Sequence, residues 1–155
     1  MTEDPKPGQW AFDLADTDMP TEVHSYLRGH ADIQTAWRES PHGPALLWLA
    51  RARAKNAGEV LRAGAEGMKL LSDQYFDGLA ANHYVYNAEA FARSAVLVEA
   101  HCAFGASPPS NAAVASYTIA LHQLGFDEAR FHDARDACRL LLAEKIRDRV
   151  PEWPG

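Results

Sequence analysis

Two cysteines in 155 residues are too few for a disulfide framework, and both, Cys102 and Cys138, fall inside helical patterns. They read as reduced, buried thiols of a cytoplasmic protein. No run of ~18 apolar residues occurs, so no membrane span is expected. The opening Met1-Thr2-Glu3-Asp4-Pro5 lacks the basic start and apolar core of a signal peptide. Basic residues are also short: 15 Lys and Arg against 21 Asp and Glu leave a net charge of −6. Phosphate recognition needs clustered Lys and Arg, so no nucleic-acid partner is expected.

The catalytic signatures are missing too. The chain has no glycine-rich phosphate loop, no nucleophile elbow, no His-Glu-x-x-His and no Cys-x-x-Cys. It also lacks the Glu-x-x-His that a di-iron bundle takes from each of two helices. The common recognisable enzymes are thereby excluded, and no cofactor is implied.

What the chain does have is alanine, 28 of 155 residues, with 47% hydrophobic and 23% charged residues overall. Alanine is the best helix former, and the balance is that of a globular domain. No internal repeat, low-complexity segment or dividing linker is present. The reading is all-α: a compact bundle of about six helices with an extended N-terminal arm. Residues 1–17 form the arm, packed on the domain through the alternating Trp10, Phe12 and Leu14. Residues 18–155 form a single helical domain.

Local signals place the helices. Asp18-Met19-Pro20 starts one and Gly29 breaks it. A short helix follows from about Ala31 to Arg38, stopped by Pro41. The turn Ser40-Pro41-His42-Gly43-Pro44 opens a helix over 44–56. Over 59–77, Leu61, Gly64, Met68, Leu71 and Tyr75 form an amphipathic stripe. Gly64 and Gly67 lower helix propensity there, which the close approach of a neighbouring helix would explain. Asn87 caps a helix over 88–104, and Gly105 ends it. After the loop Ser107-Pro108-Pro109-Ser110, an uncharged segment spans 111–124 and Gly125 closes it. The last helix, 126–150, carries Phe131, Ala134, Cys138, Leu141, Leu142, Ile146 and Val150. The helices 88–104 and 111–124 are expected to be the most buried, with Phe91, Leu97, Val98, Val114, Tyr117 and Leu121 in the core.

Few residues point to a site. Glu128, His132 and Asp136 at i, i+4 and i+8 share one side of the last helix, where a divalent metal could use them with ligands from a second helix. Arg135 and Arg139 interleave with this row, so the alternative is surface pairs, Glu128 with His132 and Asp136 with Arg139. His101, between Leu97 and Phe104, reads as a hydrogen-bonded core histidine. The aromatic loop His83–Tyr86, with Trp37 and Trp48, is the candidate binding surface; the alternative is that Trp37 and Trp48 are core, above all Trp48 amid Leu46, Leu47 and Leu49. Residues 1–40 hold eight acids and three bases. They suit a basic partner protein, with Asp13, Asp16 and Asp18 steering the encounter and Tyr84 and Tyr86 supplying grip.

The stretch Thr35-Ala36-Trp37-Arg38-Glu39-Ser40-Pro41-His42-Gly43-Pro44-Ala45-Leu46-Leu47-Trp48-Leu49-Ala50 resembles a segment of small helical bacterial immunity proteins. In these, a Trp-containing helix leads through a short polar turn to a Leu-Leu-Trp-Leu-Ala helix. Only these 16 residues match. The family has a cysteine before the turn where this chain has Ser40, and no functional residue carries across. The resemblance implies a non-enzymatic protein that binds and blocks a toxin. Two functions are thus expected as alternatives: a helical interaction module, immunity- or adaptor-like, or a bundle holding a divalent metal or small ligand between its helices.

Overall fold

Side chains that compete with the backbone for hydrogen bonds start four of the helices. Asp32 Oδ1 accepts from the Thr35 amide at 2.7 Å and opens α1, Ile33–Glu39. His42 Nδ1 accepts from the Ala45 amide at 3.0 Å and opens α2, Gly43–Arg53, with Pro44 in its first turn. Helix α3 spans Gly58–Ala81. Asn87 Oδ1 accepts from the Ala90 amide at 2.9 Å at the start of α4, Ala88–Gly105. Asp127 opens α5, Glu128–Arg149, by accepting from the Arg130 amide at 3.2 Å.

The computed structural model describes residues 10, 27–81, 87–105, 125 and 127–155. Among these the chain is an all-α bundle of five packed helices without strands. None of the described helices is long and apolar enough to cross a membrane. Most of the expected first helix, the segment 111–124 and all of the arm except Trp10 lie outside the described residues. Trp10 packs against the core and donates its indole N–H to the His30 carbonyl at 3.0 Å.

Helices α2, α3, α4 and α5 each touch the other three, and the α4–α5 contact is the most extensive. The expected burial order changes here. Helix α2 is the enclosed one: every residue from Gly43 to Ala50 is buried, Trp48 included. Apolar on all sides, it occupies the middle of the bundle. Helix α4 is buried along one face, through Ala88, Ala92, Ala95, Val96, Ala100 and Ala103. Phe91 is core and stacks on Phe131 with ring centroids 5.2 Å apart. Leu97 and Val98 are only half-buried, and His101 is exposed rather than core. The small side chains face α5, and the larger ones lie towards the flanks. Val114, Tyr117 and Leu121 are outside the described residues. Cys138 is buried but Cys102 is half-buried, and both are free thiols. Burial raises the pKa of each, and the Glu99 charge adds to the effect at Cys102.

Helix α3 presents Val60, Ala63, Gly64, Gly67 and Leu71 to the core and runs past Gly78 to Ala81. Its glycines mark close contact, as the sequence suggested. A Cβ on Gly64 would sit 2.5 Å from Leu47 Cδ2, and one on Gly67 2.6 Å from Leu142 Cδ1. Gly43 of α2 meets a less yielding obstacle, because its Cβ would meet Leu142 Cβ at 2.6 Å and the Ala143 backbone nitrogen at 2.8 Å.

Trp37 is buried in the core rather than exposed for binding. It joins α1 to the far end of the chain, donating its indole N–H to the Val150 carbonyl at 2.8 Å and meeting Trp153 edge-on at 5.4 Å. Arg147 completes the clasp, donating to the Ser40 carbonyl at 2.6 Å and the Trp37 carbonyl at 3.2 Å.

Gly43→Ala improves helix propensity yet should destabilise the protein by about 1–3 kcal/mol, because the obstacle includes α5 backbone. Urea unfolding of the variant beside wild type measures this, and an unchanged or raised midpoint contradicts the packing.

Candidate functional site

The most enclosed charge in the described residues is Arg139, whose side chain is 2% exposed. It leaves α5 from the same stripe as Phe131, Leu142 and Ile146, and so points inward. Glu99 meets it from the buried side of α4. Arg139 Nε donates to Glu99 Oε2 at 3.0 Å and Nη2 to Oε1 at 2.6 Å, a two-pronged pairing that satisfies a planar carboxylate. Asp136 Oδ1 lies 3.9 Å from Arg139 Nη1 on the solvent side. The expected Asp136–Arg139 pair is thus present, but Arg139 is not at the surface: it is buried, and its closer partner is Glu99 of the neighbouring helix.

His42 stands beside this pair. Its ring is buried and its Nδ1 accepts the α2 capping bond, so the imidazole must be neutral with the proton on Nε2. Burial is the main reason that its pKa falls to about 3, and the charges of Arg139 and Arg135 push the same way. Ser40, also buried, accepts the His42 amide on its Oγ at 3.3 Å. Arg139, Glu99 and His42 are thus committed to holding α2, α4 and α5 together. Sequence reading missed this use of all three. The signal for Arg139 was its position three residues before Leu142 and seven before Ile146, on the apolar stripe.

Glu128, His132 and Asp136 lie exposed along α5. No group of three or more His, Cys, Asp or Glu able to hold a metal ion occurs among the described residues. Side chains one turn apart are separated by about 5.4 Å along the axis, and among the described residues no second helix brings a ligand to the row. His132 instead packs edge-on against Phe131, centroids 5.3 Å apart.

Asp13, Asp16, Asp18, Tyr84 and Tyr86 lie outside the described residues. An exposed aromatic that the sequence reading passed over is Phe76, 63% accessible at the C-terminal end of α3. Tyr75 meets its ring edge-on at 5.2 Å. Asp73, Phe76, Asp77 and Ala80 are all exposed, and their spacing puts them on one face. Asp73 Oδ2 pairs with Lys69 at 3.3 Å. The face combines an apolar ring with two carboxylates and leads directly into residues 82–86. Its signal in the sequence was a phenylalanine off the apolar stripe of its own helix.

Two outcomes follow from the buried cluster. Arg139→Ala leaves Glu99 without its partner in the bundle and should destabilise by about 3–5 kcal/mol, whereas the double change Glu99→Leu, Arg139→Met should recover most of the loss. Chemical denaturation of the single and double variants measures the difference. For His42, the folded pKa lies below the unfolded value of about 6.5. Between the two values the unfolded state binds the extra proton, so stability falls as pH drops through this window, by up to about 1.4 kcal/mol per unit. His42→Asn keeps a capping oxygen that does not titrate. Wild type should lose about 2 kcal/mol more than this variant between pH 7 and pH 5. Equal losses in both proteins would show that His42 titrates normally.

No family model matches the chain, and neither the curated proteins nor the solved structures contain a match to it.

Proposed function

We propose that the chain is a non-enzymatic helical protein-interaction module, an immunity- or adaptor-like binder of a basic partner protein. The observation that carries the reading is Phe76, a large aromatic at 63% exposure set between Asp73 and Asp77. Exposed aromatics of this kind anchor interfaces, and carboxylates around them select a basic counterpart. The eight acids in residues 1–40 add to the same field. Support also comes from α1, the turn at Ser40 and α2, which reproduce the helix–turn–helix order of the immunity-protein segment. The polar cluster in the bundle is committed to packing, which favours recognition over catalysis.

The test starts from affinity capture with the full chain in its native host, followed by binding kinetics with the purified partner. The partner should be basic, and a toxin encoded beside this chain's gene would fit the immunity form of the reading. Phe76→Ala, Tyr84→Ala or Tyr86→Ala should speed dissociation, by roughly tenfold or more at a hot spot. Neutralising Asp13, Asp16 and Asp18 together should slow association, most at low salt. A partner bound equally well by the Phe76→Ala and triple-aspartate variants would overturn the proposal.

A further inference from the structure

A cavity of about 250 Å³ opens where α3, α4 and α5 meet. Ala134, Ala137 and Leu141 of α5 form its apolar wall, with the Cys138 thiol beside them. Helix α4 contributes Glu89 and Arg93. Their charges do not simply cancel. Glu89 is gripped by Arg130, through Nε at 3.0 Å and through Nη2 as well. Among the described residues no carboxylate lies within ion-pair distance of Arg93. Its guanidinium lies across α3 at Gly78, where an added Cβ would come within 3.3 Å of Nη1. The lining itself holds one carboxylate and one guanidinium: Glu89 is engaged by Arg130 from beyond the lining and feels Arg93 only through its charge, so the Arg93 hydrogen-bonding edge is the cationic group that the cavity offers.

We infer that this cavity is a binding site for a small monocarboxylate with a short apolar body, its carboxylate paired with Arg93 and its body against Ala134, Ala137 and Leu141. A planar guanidinium takes a carboxylate by two parallel hydrogen bonds. A single guanidinium, with the Glu89 carboxylate nearby, matches a monoanion better than a dianionic phosphate. The volume lies just below the ~300–1,000 Å³ of sites for drug-sized ligands, which keeps the body small. Phe76 does not line the cavity, so the site stands on different residues from the proposed protein interface, and either can fail alone.

The probe is phenylacetate, titrated into the full chain and followed by amide chemical shifts. Shifts should saturate and concentrate around residues 89–93 and 134–141. The neutral alcohol 2-phenylethanol, which keeps the apolar body but lacks the charge, should bind at least tenfold more weakly, and phenyl phosphate should not bind more tightly than phenylacetate. Arg93→Gln should weaken phenylacetate at least tenfold while leaving the spectrum elsewhere unchanged. Ala137→Leu, which fills the cavity, should abolish binding. In a Cys102→Ser background, bound phenylacetate should also slow labelling of Cys138 by a small thiol reagent. Shifts that never saturate, equal affinity for the alcohol, or full affinity in Arg93→Gln would overturn the inference. Arg93→Lys provides a second test if the glutamine variant does not fold, and it should retain more affinity than a cavity-filled chain.

Discussion

The architecture depends on how closely three helices approach one another around Leu142. Gly43 of α2 and Gly67 of α3 both abut this side chain, and Gly64 lies against Leu47 of α2. Gly64 and Gly67, inside α3, each give up about 1 kcal/mol of helix propensity relative to alanine. In return the axes come together and Leu142 is enclosed on two sides at once. An enclosed leucine makes dozens of weak contacts, which collectively outweigh that local loss. The alanine face of α4 extends the same principle to the fourth helix: Ala92, Ala95, Ala100 and Ala103 are buried because they are small enough for α5 to lie against them.

Close packing of this kind leaves little room for polar groups, so a charge that enters it is costly unless it is paired. Glu99 and Arg139 do so across α4 and α5. His42 enters as a neutral ring whose acceptor nitrogen is used by the helix that it starts. A buried ion pair is no strong source of stability compared with an apolar replacement, but a half of one is costly. Its effect here is to penalise any shift of α5 against α4 that would separate the partners.

Much of this was readable from the residues and some was not, for definable reasons. Asn87 and the glycines of α3 act as their local chemistry suggests, since caps and close approaches have short-range signatures. The stripe of α5 was visible because Phe131, Cys138, Leu142 and Ile146 recur at helical spacing. Arg139 was placed at the surface because Asp136, three residues away, offered a ready partner, which it does approach at 3.9 Å, whereas the carboxylate that holds it inside the bundle is 40 residues distant. Leu97 and Val98 were misplaced because large apolar residues are expected inward, whereas α4 uses its alanines there. His42 escaped notice as a cap because an imidazole is outside the usual set of capping side chains. Phe76 carried only a negative signal, its absence from the apolar face. No arrangement of residues in the sequence announced the Arg93 cavity, which exists only once three separate helices are brought together.

The clasp between α1 and α5 affects the order in which the chain can be completed. Trp37 and the Val150 carbonyl are 113 positions apart, and Arg147 and the Ser40 carbonyl 107. During synthesis at about 5–20 residues per second, α1 and the apolar Gly43–Ala50 stretch of α2 emerge roughly 5–20 s before α5, which packs against them. For that interval the most water-averse segment of the protein has no native shelter beneath α5. The nascent chain therefore passes through an aggregation-prone state early; α3 and α4 cover part of α2 as they emerge, and α5 completes the enclosure.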